Sequence, residues 1–558
     1  MGLISKAFSD IITFSRSSNA TRVGPDGKVQ YAPHNLMLRS QELDNAAWTK
    51  DNCTATANAI AAPDGTVTAD MITDGASGSP SLYLTASVTI AASVPHTASG
   101  YVKRGNTDWI RFIVQDGSFG NQTAVWFNLA TGATTSGGTL TSVGNGWYRF
   151  SVTATIGSAT TAEYQINTAA ASSSNTRVSG GTYYLWGAQL SQGSIAGDYT
   201  PTTSAAVYGP RFDYDPVTLA AKGLLIEEQR TNLLTYSEDF TNGAAYISGR
   251  ATISANTAAA PDGNTTADSL TQSGSTTSGY VAGYSTNSGT NTYTFSVFVK
   301  PNGKNFVRLT EALSGSDRST YFNLSSGTVG TKDAAHTAAI SAYTNGWYRV
   351  SISYSGSAAS YYPGVYLADT DNSTTVVASG GVYVWGTQLE LGAFATSYIP
   401  TVASTVTRSA DVASVNTLSP WFNATEGTIY AEAEPFSLTA GTVAYAISDG
   451  TTSNYMASWT QVNEHFLVVS GGSTQASLDG GTYVVNQYTK TAGAYKANDF
   501  ALSLNGGAVV TDSSGSIPTV SVLGIGNRNS ANYLNGHIKR LAYYPRRLTN
   551  AELQSLTS

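Results

Sequence analysis

Two stretches of the chain place a tryptophan and an arginine in the same register: "VGNGWYRFSV" from Val143 and "TNGWYRVSI" from Thr344. In an extended strand, alternate side chains point to opposite faces. Tyr148, Phe150 and Val152 then share one face, as do Tyr348, Val350 and Ile352, and that apolar face builds a core. Trp147 with Arg149, and Trp347 with Arg349, point the other way. A flat indole beside a guanidinium can stack on a sugar ring and bond its hydroxyls. The same pair can also cap a sandwich edge, with the arginine lying on the ring or bonding nearby carbonyls. A further stretch, "YMASWTQVNEHF", sets Tyr455 and Trp459 near polar loops. The candidate carbohydrate-binding residues are therefore Trp147, Arg149, Trp347, Arg349, Tyr455 and Trp459. Trp186 and Trp385 sit within apolar text and read as packing positions, as does Trp109.

Other chemistry is thinly supplied. Hydrolysis of a glycosidic bond needs two carboxylates flanking it. Glu432 and Glu434 in "YAEAEPF" fall on one strand face, and the text is similar to a Glu-x-Asp-x-Glu pattern of lectin-like glycosidases. The central Asp is missing and Phe436 stands where a carboxylate would, so no catalytic residue is assigned and the protein is not read as an enzyme. Asp213 and Asp215 in "FDYDP" read as turn formers. No Gly-x-Ser-x-Gly elbow precedes a helix. The five histidines are scattered, and the single cysteine, Cys53, leaves no disulfide and no Cys-ligated zinc site. "APDG…TAD" occurs twice, with Asp64/Asp70 and Asp262/Asp268, and "PDG" is an ordinary turn. No metal ligand is assigned.

The elements that must hold these residues are strands. Only 12% of 558 residues are charged, while Gly, Ser, Thr, Ala and Tyr abound. Thr, Val and Tyr favour strands, and Gly, Asn and Ser supply turns. A formal charge of −7 without basic clusters argues against nucleic acid as a partner. No stretch is long enough to span a bilayer, and the opening "MGLISKAFSDIITFSRSSNATR" lacks an apolar signal core.

A domain-sized repeat organises the chain. "NLMLRSQELDNAAW" from Asn35 matches "NLLTYSEDFTNGAAY" from Asn232, and "APDGTVTADMIT" matches "APDGNTTADSLT". "SGGTYYLWGAQLSQGSIAGDYTPT" matches "SGGVYVWGTQLELGAFATSYIPT", and the offset stays at about 200 residues throughout. Duplication accounts for the recurrence of Gly-Trp-Tyr-Arg. The expected organisation is a segment 1–34, a first module 35–207, a connector 208–231, a second module 232–408 and a third region 409–558. Alternation in "YTFSVFVK" and frequent turn pairs predict two antiparallel sheets packed face to face in each module. Thr549 and Glu552 have the spacing of a capping box opening a short terminal helix.

The doubled module, with "NLL…S.DF", "APDG…TAD", "NGWYRVS" and "VYVWGTQLE.G…TSYIPT", resembles the phage head spike fiber domain. It is similar, more distantly, to the jelly roll of carbohydrate-binding modules. The ending "LNGHIKRLAYYPRRLTNAELQSL" resembles the close of a concanavalin A-like, laminin G-type lectin sandwich. The fold implied is all-β: two jelly-roll-like modules and one concanavalin A-like sandwich. The resemblance implies a virion surface protein, a head or tail fibre or decoration. It would be made in the host cytoplasm, adhere to bacterial surface polysaccharide and meet capsid or tail proteins through residues 1–34. A homo-oligomer, by family expectation a trimer, and a structural calcium held by oxygen ligands belong to the same implication. Two other readings stay open: a purely structural decoration protein and a polysaccharide depolymerase.

Overall fold

The computed structural model describes residues 8–75, 84–116, 122–157, 160–284, 291–312, 318–355, 362–377, 379–438, 441–460 and 463–558. The first seven residues of the segment expected to attach the protein lie outside that range. Among the described residues nearly all regular structure is antiparallel strand, with two short α-helices, Phe8–Ile11 and Asn550–Thr557, and one 3-10 turn, Thr344–Gly346. The all-β sandwich expectation holds. No helix among the described residues is long and apolar enough to cross a membrane.

The chain divides into two compact units, Tyr31–Gly209 and Met1–Gln30 with Pro210–Ser558. The first unit is one sandwich of a six-stranded and a five-stranded sheet. Its core lies between the sheets, where Ile110, Phe112, Phe127, Phe150, Tyr164 and Leu185 are all buried. The second unit holds the second module, built of two six-stranded sheets, and the C-terminal region, built of two seven-stranded sheets. Phe295, Val297, Leu309, Phe322 and Val350 fill the module core, and Ile429, Tyr445, Met456, Phe466 and Leu502 fill the C-terminal core.

The repeated phrases have repeated jobs. Asn145 and Gly146 have φ of 51° and 76°, and Asn345 and Gly346 have φ of 59° and 75°. Left-handed backbone at two successive residues is the requirement of a tight strand-reversing turn, and Asn-Gly supplies it at least cost. The strands entered from these turns, Trp147–Thr155 and Tyr348–Ser355, occupy matching places in their six-stranded sheets.

The opening Asn of each copy is a clasp. Asn35, fully buried, donates to Ala188 O and Thr200 O at 2.9 Å each and accepts from the N–H of Met37 at 2.9 Å and of Leu190 at 3.1 Å. Asn232 repeats the pattern with Thr387 O at 3.0 Å, Ile399 O at 2.9 Å, and the N–H groups of Leu234 and Leu389 at 3.1 Å. Only a side-chain amide offers two donors and a two-lone-pair acceptor in so small a volume. The aspartates of "TAD" act similarly. Asp70 accepts from Leu43, Asp44 and Asn58 backbone N–H groups, and Asp268 from Phe240 and Asn256. Asp64 and Asp262 hold their turns through Thr66 and Asn264.

The C-terminal sandwich recruits strands from elsewhere in its unit. Thr13–Ser15 pairs with Val412–Val415 at the edge of one sheet. The hairpin Arg211–Tyr214 and Ala221–Ile226, read from sequence as a connector, extends the other sheet beside Gly536–Tyr544. Where these pieces meet, five charged side chains share a fully buried space: Arg16, Arg211, Glu227, Arg408 and Asp411. Ser397 of the second module donates to Glu227 at 2.7 Å, so module, hairpin and C-terminal sandwich join in one polar knot.

Asp213 corrects the reading of a turn former. It is buried, accepts from Val23 N–H at 2.6 Å and sits 2.8 Å from His537 Nε2, whose Nδ1 meets Glu434 at 3.1 Å. A backbone N–H and His537, both distant in sequence, hold it inside, which local sequence does not disclose. Asp215 does form the turn, through the N–H groups of Val217 and Thr218.

Candidate functional site

The tryptophans of the duplicated Trp-Arg pairs are closed off from solvent, while Arg149 and Arg349 are half-buried. Trp147 and Trp347 are 2% and 1% exposed. Trp347 packs with Phe298, Trp385 and Tyr398 in a second apolar cluster on the outer face of its sheet, and Trp147 packs with Ala62, Ala69 and Trp186. Their indole N–H groups donate to Ala259 O at 3.1 Å and Ala61 O at 3.2 Å. A sugar ring has no ring face to stack on there. Arg349 donates to Thr396 O at 2.6 Å and Ser296 Oγ at 2.9 Å and lies 5.4 Å over Phe298. Arg149 donates to Gly197 O and lies 5.6 Å over Tyr101. Of the two sequence readings, packing is the geometry found at these four positions. The segments after Gln192 and Leu391 cover this face: Tyr199 and Tyr398 pack in the two tryptophan clusters, and Gly197 and Thr396 accept from the two arginines.

Tyr455 and Trp459 are brought together. Both lie on the strand Tyr455–Thr460, where Met456 points into the sandwich core while Tyr455, Ala457 and Trp459 take the outer face. Their ring centroids are 6.4 Å apart; Tyr455 is buried, as a packing residue is, and Trp459 is half-buried and carries the accessible part of the pair. Over both lies Arg528, its guanidinium carbon 4.4 Å from the Tyr455 centroid and 4.6 Å from that of Trp459. A cation held over two rings gains cation–π attraction of roughly 0.5–2 kcal/mol per contact.

Arg528 comes from the loop "GNRNSANYLNG", which follows the strand Val522–Ile525. Asn529, Ser530, Asn532 and Asn535 all have left-handed φ, between 50° and 57°, which curls this loop tightly. Asn532 accepts from Arg528 at 3.3 Å, and Asn529 donates to Thr451 O at 3.1 Å. Gly441 closes the other side with φ of 91°. A Cβ there would lie 2.8 Å from the Asn532 amide and 3.0 Å from the Trp459 ring. Across the sheet His465 pairs with Trp459 and Asp479 with His465, extending the polar border of the aromatic floor. Sequence reading found the two rings and missed Arg528. A run of Asn and Ser signals a curled loop, but not which strand it lies on.

The chemistry on offer is recognition: an aromatic floor, a fixed guanidinium and side-chain amides. The two carboxylates considered for catalysis are engaged elsewhere. Glu434 meets Lys222 at 3.2 Å as well as His537, and Glu432 meets Lys539 at 3.2 Å. Burial pushes the Glu434 carboxyl up, but His537 and Lys222 outweigh it and hold it below the usual range. Among the described residues no group of His, Cys, Asp and Glu is arranged to hold a metal ion.

No curated protein sequence matches the chain. Among solved structures, the chain is similar to the Ruminococcus gnavus IT-sialidase CBM40 bound to α2,3-sialyllactose, with 18% identity, a TM-score of 0.22, and 24% of this chain and 84% of that one covered. It is also similar to the CBM22-1–CBM22-2 tandem of Paenibacillus barcinonensis Xyn10C, with 12% identity, a TM-score of 0.24, and 68% and 100% covered. For mouse laminin α1 LG4-5 the values are 11%, 0.19, and 47% and 87%. TM-scores this low define no shared fold. Residues 406–554, the region carrying Tyr455, Trp459 and Arg528, match the concanavalin A-like lectin/glucanases superfamily.

Proposed function

We propose that the protein is a non-enzymatic carbohydrate-binding protein whose C-terminal sandwich takes a glycan on the outer face of the strand Tyr455–Thr460. One observation carries this reading: within the lectin-like region, Trp459 and Tyr455 form a floor that Arg528 spans. A sugar ring offers C–H faces to the exposed rim of Trp459 and hydroxyls to the Arg528, Asn532 and His465 edges. The resemblance of the doubled module to the phage head spike fiber domain supports a finer version. In it the protein stands on the surface of a phage-like particle and adheres to bacterial surface polysaccharide, with capsid or tail proteins as its structural partners. The two modules then serve as packed, rigid supports rather than as binding platforms, which fits the burial of Trp147 and Trp347.

The test is calorimetric titration of the purified protein with host capsule and lipopolysaccharide fractions, assaying reducing ends in the same samples. Saturable heat without new reducing ends, lost in Trp459→Ala, is the expected result. New reducing ends would replace this reading with a depolymerase, and no heat with any glycan would leave a structural decoration.

A further inference from the structure

We infer that the glycan bound at this face is acidic, and that Arg528 is the residue that receives its carboxylate. The inference rests on the carbohydrate-binding reading above and specifies the class of ligand.

Many arginines of the same unit are paired with a carboxylate, while Arg250, Arg308 and Arg349 lie over rings and donate to Ser278 O, Ser319 Oγ and Thr396 O instead. Arg16, Arg211 and Arg408 meet Asp411 or Glu227, Arg318 meets Glu311, Arg546 meets Glu552 and Arg547 meets Asp499. The Arg528 side chain likewise meets no carboxylate among the described residues, and its one hydrogen bond there is the 3.3 Å bond to the Asn532 side chain. Its remaining N–H groups are not sealed in, since none is among the buried atoms lacking a partner. The side chain is half-buried, so its charge has lost part of its hydration without gaining a counter-ion.

Nearby acids are committed. Asp479, two strands across the same face, accepts from Asn463 at 2.8 Å and from Gly481 N–H at 2.9 Å. Asp449 of the adjoining loop accepts from Thr451 and Asn454. Glu464 points to the opposite, core side of its strand, where Thr460 donates to it at 2.9 Å.

The orientation also matters. Held over two rings and bonded to Asn532, the guanidinium is restrained in place, and its paired N–H groups can engage a carboxylate side on. A neutral sugar would satisfy those donors one hydroxyl at a time. A uronic or other carboxylated sugar satisfies two together and supplies the missing charge.

The experiment uses the full chain and paired probes: oligogalacturonate, oligomannuronate and hyaluronan fragments, each beside its carboxyl-reduced, neutral counterpart, with host capsule fractions run in parallel. The expected result is that an acidic member binds about tenfold or more tighter than its reduced form. That advantage shrinks with added salt and disappears in Arg528→Met at unchanged thermal midpoint. Arg528→Lys, which keeps the charge but not the fork, should retain only part of it. Equal affinity within every pair would overturn the inference while leaving carbohydrate binding standing, as would binding to host fractions but to no pair. Silence toward pairs and host fractions alike would overturn both. If Arg528→Met does not fold, the native-against-reduced comparison decides alone.

Discussion

Arg211 Nη1 lies 2.6 Å from Glu227 Oε2, and neither side chain has any solvent exposure. Arg211 also donates to Asp411, which in turn receives Arg16 at 2.9 Å. Removing one partner from such a knot strands buried charges. Arg211→Met should therefore destabilise the unit containing it by about 3–5 kcal/mol. The check is a chemical-denaturation curve followed by tryptophan fluorescence, in which the transition of the Tyr31–Gly209 unit serves as the internal reference.

The same knot sets an acid limit. Burial alone would raise the Glu227 and Asp411 carboxyls, but the arginines outweigh it and hold both below their ordinary values of 4.5 and 3.8. A depressed folded-state value means that the stabilisation is complete above those ordinary values and is lost as pH falls below them. Thermal midpoints of the Pro210–Ser558 unit should drop steeply below about pH 4. In Arg211→Met that acid dependence should flatten.

His537 works in the opposite direction. Burial lowers its affinity for a proton, but hydrogen bonds to Asp213 and Glu434 outweigh this and raise it above the ordinary 6.5. Lys222, 3.2 Å from Glu434, opposes the raised value without reversing it. A raised value in the folded state stabilises below 6.5 and loses that contribution as pH rises through the shifted value. His537→Gln should remove the His537 share of the alkaline decline expected of the wild type. Histidine proton resonances followed against pH would read the shift directly.

Glu464 adds a second alkaline liability within the lectin-like core. It is fully buried, no ion pair reaches it among the described residues, and burial pushes its carboxyl up to about 7. Between 4.5 and about 7 the folded state keeps a proton that the unfolded state has released, so stability falls as pH rises across that window. Glu464→Gln should raise the midpoint at pH 8 and leave it nearly unchanged at pH 4. A differential scanning series at the two pH values distinguishes this from the His537 effect.

Sequence alone disclosed much of the architecture and little of the site. Period-2 alternation and Asn-Gly turns announced the sandwiches, because each is a local consequence of backbone geometry. The capping box at Thr549 and Glu552 likewise forms as spaced. What escaped were contacts across long stretches of chain. Trp147 and Trp347 faced away from the core as alternation required, yet are roofed by segments that alternation does not describe. Arg528 reaches Trp459 from a loop about seventy residues away, and Asp213 finds His537 more than three hundred residues on.

The clasp of each module offers a direct test of duplicated design. Asn35→Ala and Asn232→Ala each delete a buried amide and leave two carbonyls and two N–H groups to find new partners. Each should cost about 2–4 kcal/mol, in its own unit only. Trp347→Ala should behave similarly, at about 3–5 kcal/mol. Glycan affinity of the C-terminal region should be unaffected in the folded variant, whereas Trp459→Ala should do the reverse. Denaturation and titration on the same preparations separate the two.

The pairing of Thr13–Ser15 with Val412–Val415 has a consequence for how the molecule comes into being on the ribosome. The first strand is synthesised about 400 residues before its partner, a wait on the order of tens of seconds at roughly 5–20 residues per second. Tyr31–Gly209 keeps its strand pairing to itself and can close as soon as it emerges. Arg16 and the edge strand beside it must meanwhile stay unengaged until Asp411 is made. That unit is thus sewn shut by a strand made long before its partner, and its maturation waits on the synthesis of Val412–Val415.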